Sequence, residues 1–162
     1  MLGKLANVLQ EMNRLEVDVL GVCETFWDGV GEFKTEIASC ADPFRVIYSG
    51  GSKKRKGVAM ILRNKAASSV LNYQLVSERI MVARFKADPV NLLVIQAYAP
   101  CEDAPEEETE KFYELLDQTV AQNRKGRECL VVMGDFNGKV GAGKEDKIVG
   151  PFGKGIRNDN GQ

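Results

Sequence analysis

The sequence predicts an α/β fold in which two β-sheets pack face to face and helices cover their outer surfaces. Most of its strand-like segments follow one another along the chain, which is typical of sheets built from neighbouring strands. Two amphipathic helical segments each precede an apolar strand that ends near an acidic residue, Glu24 or Asp135. Consecutive strands are expected to pair with one another, and one helix precedes each of the two strands that end near Glu24 and Asp135. This arrangement implies a two-sheet α/β sandwich with outer helices.

Length and composition fit a single domain that spans residues 1–162. The chain is 44% hydrophobic and 28% charged, which is the balance of a soluble globular protein. Its net charge of -1 gives no overall attraction to nucleic acid, so nucleic-acid binding would need a local patch. No apolar run has membrane-spanning length, and the amino terminus has no basic-then-apolar signal sequence. The oligomeric state stays unknown.

The four cysteines, Cys23, Cys40, Cys101 and Cys129, are scattered and form no CxxC pair. Their pattern favours reduced, buried thiols over a disulfide framework or a zinc site. We therefore predict an intracellular protein.

The first half of the chain begins with a helix and continues with strands. Residues 2–15 carry apolar side chains at helical spacing and predict an amphipathic helix that covers a sheet. Residues 33–41 are ambiguous, with a short helix as one interpretation, and Asp42-Pro43 ends the segment. The predicted strands of this half span residues 17–23, 44–48 and 57–63.

A basic run, Lys53-Lys54-Arg55-Lys56, lies in the loop before the third of these strands. Runs of like charge are usually solvated loops. A nuclear-import signal or a phosphate-contacting patch is the alternative interpretation.

Three further strands, at residues 70–76, 79–86 and 91–98, precede a second helix. A hairpin turn at residues 87–90 joins the last two strands, and Tyr98 ends the last one. Asp103 is placed to cap the helix, with Glu106 completing a reciprocal capping box and Pro105 in the first turn. The core-facing residues of this helix are Phe112, Leu115, Leu116 and Val120.

The most informative stretch is CLVVMGDFNGKVG at residues 129–141. Its apolar run, residues 130–133, is too short for a helix and predicts a buried central strand. Asp135 and Asn137 are two residues apart, so an extended backbone would project both from one side. They would lie at the carboxyl end of the strand, where open α/β sheets usually build their sites. A carboxylate beside a carboxamide suits phosphate-ester chemistry.

Three motifs make the sequence recognisable. GDFN at residues 134–137, VCETFW at 22–27 and IQAYAP at 95–100 resemble the endonuclease/exonuclease/phosphatase family. Within that family the sequence is most similar to the endonuclease domains of non-LTR retrotransposons and to craniofacial-development-protein-2-like sequences. The motifs occur in the family's order, and the resemblance runs the whole length of the chain.

The resemblance implies a metal-dependent phosphodiesterase that acts on DNA. Glu24 would hold Mg²⁺ or Mn²⁺, since Mg²⁺ prefers hard oxygen donors. Asp135 would orient or deprotonate the attacking water, while Asn137 and Tyr98 would position the phosphate. Glu24 alone is equally compatible with an acidic residue near a turn, and Trp27 is predicted to pack rather than to contact substrate.

Two features argue against activity of this chain alone. It contains no histidine, so no imidazole can act as a base, a ligand or a stabiliser of phosphorane charge. The resemblance also places an asparagine-bearing strand before Met1 and an Asp-His pair after Gln162, so we expect a fold that is incomplete at both ends. Asn158 and Asn160 are compatible with turns or with functional groups.

Two hypotheses remain open. The chain is an endonuclease domain fragment of retrotransposon origin, inactive by itself, or it is a non-catalytic remnant that binds a protein or nucleic acid. A third interpretation fails, although residues 138–144 fit the skeleton of a phosphate-binding loop. Glu145 stands where Mg²⁺ coordination needs a hydroxyl, and no helix can follow to cradle the phosphates.

Overall fold

Eight strands form two four-stranded sheets in the computed structural model, which describes residues 2–40, 42–51, 56–143 and 150–161. The elements of these residues, in chain order, are α1 Leu2–Arg14, β1 Val19–Cys23, β2 Val30–Thr35, β3 Phe44–Ser49, β4 Val58–Leu62, α2 Asn64–Ser69, β5 Val70–Leu75, β6 Ile80–Phe85, β7 Leu92–Tyr98, α3 Glu106–Asn123 and β8 Cys129–Asp135, followed by a 3₁₀ turn at Asp159–Gly161. Lys53 to Arg55 of the basic run, and Lys144 and Glu145 of the rejected phosphate loop, lie outside the described residues.

The two sheets stack face to face, and helices pack on their outer surfaces. The first sheet has the strand order β1-β4-β3-β2 and the second has β5-β6-β7-β8. All neighbouring strands are antiparallel except β7 and β8, which are parallel and are connected through α3. α1 packs Leu9 and Met12 on the first sheet, and α3 packs Phe112 and Leu116 on the second. This architecture confirms the predicted two-sheet α/β sandwich with outer helices.

The short helix considered for residues 33–41 is wrong for the described part of that segment. Val30–Thr35 forms an edge strand whose side chains alternate between exposed and half-buried positions. Phe33 lies on the covered side, where its ring centre is 5.8 Å from that of Trp27. Trp27 also packs on Tyr48, at 5.2 Å between ring centres, as predicted for a packing residue. The strand-like alternation of exposed and half-buried residues becomes visible only when Val30 and Gly31 are included with residues 33–35.

The predicted capping box of the second helix is also wrong. α3 begins at Glu106 and its N-cap residue is Pro105, and no side chain among the described residues caps it. Asp103 instead lies within a turn in which Ala104 N donates to Cys101 O at 3.0 Å. The predicted core-facing stripe is confirmed, with Phe112 and Leu116 buried. In the described part of the chain, neither α3 nor another helix is long and apolar enough to cross a membrane.

β8 is a largely exposed edge strand, so the prediction of a buried central strand is wrong. It pairs with β7, and within the described residues no strand pairs with its other edge. Val131 and Val132 are consequently 39% and 38% exposed. An apolar run signals a strand that packs on both faces, but it does not reveal whether both edges are paired.

The cysteines agree with the sequence prediction in part. All four are free thiols in the structure. Cys23 and Cys40 are half-buried, whereas Cys101 and Cys129 are exposed, so the predicted burial is wrong for the last two.

A buried ion pair attaches the start of β8 to β6. Arg84 Nε donates to Glu128 Oε1 at 2.8 Å, and the two side chains are only 8% and 7% exposed. Arg84 Nη1 also donates to Asn72 Oδ1 at 3.1 Å. The hydrogen bond from the Arg84 guanidinium holds the pKa of Glu128 below its usual value.

We expect Glu128→Gln to lower the free energy of unfolding at neutral pH, and we expect its effect to shrink in acid. Because the pKa of Glu128 is lower in the folded chain, the stabilisation is complete above the unfolded value of about 4.3. It is lost as the pH falls through the folded value. Urea unfolding at neutral and acid pH measures this, and Glu107→Gln, which breaks an exposed pair with Lys111, is the control. A pH-independent difference would contradict the assignment.

Candidate active site

The ends of β1 and β7 bring Glu24 and Tyr98 together across the two sheets. Tyr98 is 5% exposed, and its hydroxyl donates a hydrogen bond to Glu24 Oε1 at 2.7 Å. Glu24 directly follows β1 and is exposed, with a left-handed φ of 56°. Burial, and then the Glu24 carboxylate, raise the pKa of the Tyr98 phenol. The phenol is therefore a neutral hydrogen-bond donor at physiological pH.

Asp135 and Asn137 lie beside Tyr98. Asp135 is the register partner of Tyr98 in the β7–β8 pair, and its carbonyl accepts a hydrogen bond from Ala99 N at 2.8 Å. Asn137 N donates to Asp135 Oδ1 at 2.9 Å, and Asn137 Nδ2 donates to Ala99 O at 2.8 Å. Asn137 has a φ of 50°, so a turn places the two side chains and not the extended backbone that we predicted. The four predicted site residues nevertheless lie together.

Gly134 explains why β8 can approach β7 this closely before the turn. It has a φ of 150°, and a Cβ atom there would lie 1.8 Å from Ala97 O. Only glycine avoids both the strained conformation and the collision. The glycine of the GDFN motif is thus a requirement of the backbone that carries Asp135.

Asn158 and Asn160 fasten the turn that contains Asn137. Asn158 Nδ2 donates to Asn137 O at 3.0 Å, and Asn158 Oδ1 accepts from Lys139 N at 2.7 Å. Asn160 Nδ2 donates to Pro100 O at 3.1 Å. Both asparagines therefore hold the loops after β7 and β8 together.

Sequence reasoning missed the polar residues beneath the site. Gln96 is 1% exposed, and its Nε2 lies 3.2 Å from Cys23 Sγ, across the space between the sheets. Its Oε1 has no hydrogen-bond partner among the described residues. Burial raises the pKa of the Cys23 thiol, and the nearby carboxylates of Asp135 and Glu24 add smaller contributions in the same direction. A glutamine within the apolar strand LLVIQAY is the signal that could have identified this contact.

The carboxylates of the site fit a hydrated divalent cation. Glu24 and Asp135 are both exposed, and among the described residues Glu24 Oε2 accepts no hydrogen bond. Mg²⁺ usually keeps several waters and takes one or two carboxylates, which this pair can supply. The described part of the chain contains no group of three or more acidic, cysteine or histidine side chains that could enclose an ion. Among the described residues, an ion held by these two carboxylates would therefore have to take its other ligands from water.

Comparison with known proteins identifies the family of this chain. Residues 1–143 match the sequence model of the endonuclease/exonuclease/phosphatase family. The chain belongs to this family. Craniofacial development protein 2 of Bos taurus and its counterpart in Tragulus javanicus are each 37% identical to it over 161 residues. These alignments cover 99% of this chain but only 26% and 27% of the relatives, so the chain spans about a quarter of their length.

A solved structure shows the fold of this endonuclease/exonuclease/phosphatase family member independently. The endonuclease domain of TRAS1, a telomere-specific non-LTR retrotransposon, matches 83% of this chain with a TM-score of 0.54. The matched part is 55% of the TRAS1 chain, and the sequence identity is 14%. The likeness confirms the α/β sandwich, and the family recognised from the three motifs is confirmed as well.

Proposed function

We propose that this chain carries the metal-binding part of a divalent-metal-dependent DNA endonuclease site of retrotransposon origin, and that the 162-residue chain by itself does not cleave DNA. The observation that supports it best is the 2.7 Å hydrogen bond from Tyr98 to Glu24, beside the turn from Asp135 to Asn137. Family membership supports a nuclease-like domain. The DNA substrate, the metal, the origin and the inactivity are parts of the proposal.

Glu24 is the proposed ligand of Mg²⁺ or Mn²⁺. The bound ion would polarise a phosphate oxygen and lower the pKa of a water molecule. Tyr98 donates to Glu24 Oε1, which fixes the carboxylate and leaves Oε2 for the ion. Because the Tyr98 hydroxyl has one hydrogen, donation to a phosphoryl oxygen would require that hydrogen to leave Glu24 Oε1.

Asp135 and Asn137 are the proposed partners of water and phosphate. Asn137 N occupies Asp135 Oδ1, so the second carboxylate oxygen is the group that can orient or deprotonate the attacking water. Asn137 Nδ2 has two hydrogens, and one of them is used by Ala99 O. The other hydrogen is available to a phosphoryl oxygen.

The non-catalytic remnant is the alternative proposal, and the lack of histidine favours it. A remnant of the same fold would bind a protein or nucleic acid without needing a metal. The endonuclease proposal includes a location inside the cell, and specifically in the nucleus, where the DNA substrate is present. The run from Lys53 to Lys56 is its candidate import signal.

Binding of Mn²⁺ to the purified chain distinguishes the two proposals. We expect one Mn²⁺ site by electron paramagnetic resonance, and we expect Glu24→Gln to weaken it by at least about tenfold, since metal sites typically lose about 10- to 100-fold even when a supporting group is removed. Glu107→Gln removes an exposed carboxylate from α3 and is the matched control. Equal binding by the wild type and Glu24→Gln, or no binding by either, would favour the remnant.

A further inference from the structure

Arg79 holds the corner at which the chain leaves β7. Its Nη1 donates to Tyr98 O at 3.1 Å and to Ala99 O at 3.3 Å, and its Nη2 donates to Glu108 Oε1 at 2.8 Å. The guanidinium carbon also lies 5.1 Å from the centre of the Tyr98 ring. Its Nε is buried without an acceptor among the described residues, so the two Nη groups provide the anchorage.

Both backbone contacts lead directly to site residues. Ala99 O, which accepts from Arg79, is also the acceptor of Asn137 Nδ2 at 2.8 Å. Tyr98, whose ring packs on the guanidinium, is the residue that donates to Glu24. Arg79, which directly precedes β6, therefore contacts both Tyr98 and Ala99. These two residues in turn hydrogen-bond to Glu24, next to the first sheet, and to Asn137, next to the second.

The anchor of Arg79 is charged and is itself held from a second side. Glu108 Oε1 accepts from Lys56 Nζ at 3.0 Å as well as from Arg79. The hydrogen bonds from Lys56 and then from Arg79 hold the pKa of Glu108 below its usual value. Arg79 is 14% exposed, and a charge-assisted bond to an ionised carboxylate is stronger than a neutral one. Glu108 of α3 thus holds the Arg79 guanidinium in place.

We propose that Arg79 is a positioning residue of the candidate site, with Glu108 as its anchor. It sets the direction of the Tyr98 phenol towards Glu24 and of the Ala99 carbonyl towards Asn137. This inference rests on the proposed function, since those residues form the site of that function. The contacts require arginine because one planar fork reaches two carbonyls and a carboxylate, whereas the lysine ammonium is a single compact group.

The test observes the two dependent hydrogen bonds by nuclear magnetic resonance in the full chain, without metal or DNA. In the wild type we expect a slowly exchanging Tyr98 hydroxyl proton and two well-separated Asn137 Nδ2 protons. In Arg79→Met we expect the hydroxyl exchange to accelerate by about tenfold or more, because the Tyr98 hydroxyl donates to a carboxylate and a lost hydrogen bond to a charged group typically gives such a factor. The two Asn137 proton signals should also move together.

Arg84→Met is the matched control because Arg84, a buried arginine of β6, also forms an ion pair with a glutamate, Glu128, but contacts neither Tyr98 nor Ala99 among the described residues. It should destabilise the chain yet leave the Tyr98 and Asn137 signals unchanged. Arg79→Lys should restore part of the protection, and Glu108→Ala should reproduce the Arg79→Met effect more weakly. If Arg79→Met does not fold, Arg79→Lys and Glu108→Ala provide the same comparison.

Unchanged signals in the Arg79 and Glu108 variants would overturn the proposal. Equal changes in Arg84→Met would overturn it too, because they would indicate general loosening. A wild-type chain that binds no Mn²⁺ would refute the endonuclease proposal. The role of Arg79 would still be decided by the Tyr98 and Asn137 signals, because these are recorded without metal.

Discussion

Supercoiled DNA incubated with the purified chain and Mg²⁺ should be nicked no faster than DNA incubated with an Asp135→Ala preparation. Each lost preorganised donor in a hydrolytic site typically costs about 10²–10³ in rate, and groups that act together lose activity as a unit. This chain has no imidazole to stabilise the charge that develops on phosphorus oxygens. An ion held by Glu24 would still polarise a phosphate oxygen, but it would not replace the missing imidazole.

A time course on supercoiled and on abasic DNA, with Mg²⁺ and with Mn²⁺, measures this. The two preparations must be purified in parallel, because a contaminating nuclease would act equally in both. Robust Mg²⁺-dependent cleavage that disappears in Asp135→Ala would refute the proposed inactivity. Another cation would then have to replace imidazole, and Lys139, an exposed residue directly after the GDFN turn, is the first candidate. Lys144 is the second, although it lies outside the described residues.

Val132→Lys should raise the fraction of the chain that remains monomeric in solution. β8 presents seven residues without a strand on its outer edge in the described structure, and residues 129–134 carry no charged side chain. Such an edge is a template for pairing with other chains, and one lysine is a common protection against it. Because native proteins are stable by only about 5–15 kcal/mol, we expect the wild type to be marginal or prone to aggregation.

Size-exclusion chromatography with light scattering, followed by thermal unfolding, tests this edge. Val90→Lys is the control, since Val90 has a similar exposure of 37% but lies in the turn before β7. We expect Val132→Lys to reduce association and Val90→Lys to leave it unchanged. A monomeric wild type that unfolds cooperatively at about 45–65 °C, as intact mesophilic domains do, would contradict the expectation.

Local patterns were sufficient to predict the layers of this fold. The period of the apolar residues in α1 and α3 reports which helix face is buried, and both helices pack on the sheets through those residues. β2 was missed because its alternation is carried by weakly apolar positions such as Gly31 and Thr35. The sequence predicts β8 as a strand but not its place at the edge of the sheet, because that place depends on whether a second strand pairs with it.

The residue types of the candidate site were predictable from the sequence, but the contacts that hold them were not. Glu24, Tyr98, Asp135 and Asn137 lie at or just after the ends of strands, so the sequence pattern indicates their positions. Arg79 and Gln96 act through contacts with residues distant in sequence, and nothing in their immediate neighbours specifies those partners. The turn at Asn137 depends on a left-handed φ that an alternating pattern cannot reveal.

The Cys23 thiol lies between the two sheets, so its reactivity depends on how they pack. Its thiol belongs to the first sheet but donates to Ala97 O of the second sheet at 3.5 Å, with Gln96 on its other side. Burial raises its pKa, so the reactive thiolate is scarce while the sheets stay together. Cys101 and Cys129 are exposed and react without any opening. We therefore expect Cys23 to react with a thiol reagent more slowly than these two exposed cysteines, so its reaction rate reports on access to the space between the sheets next to the candidate site.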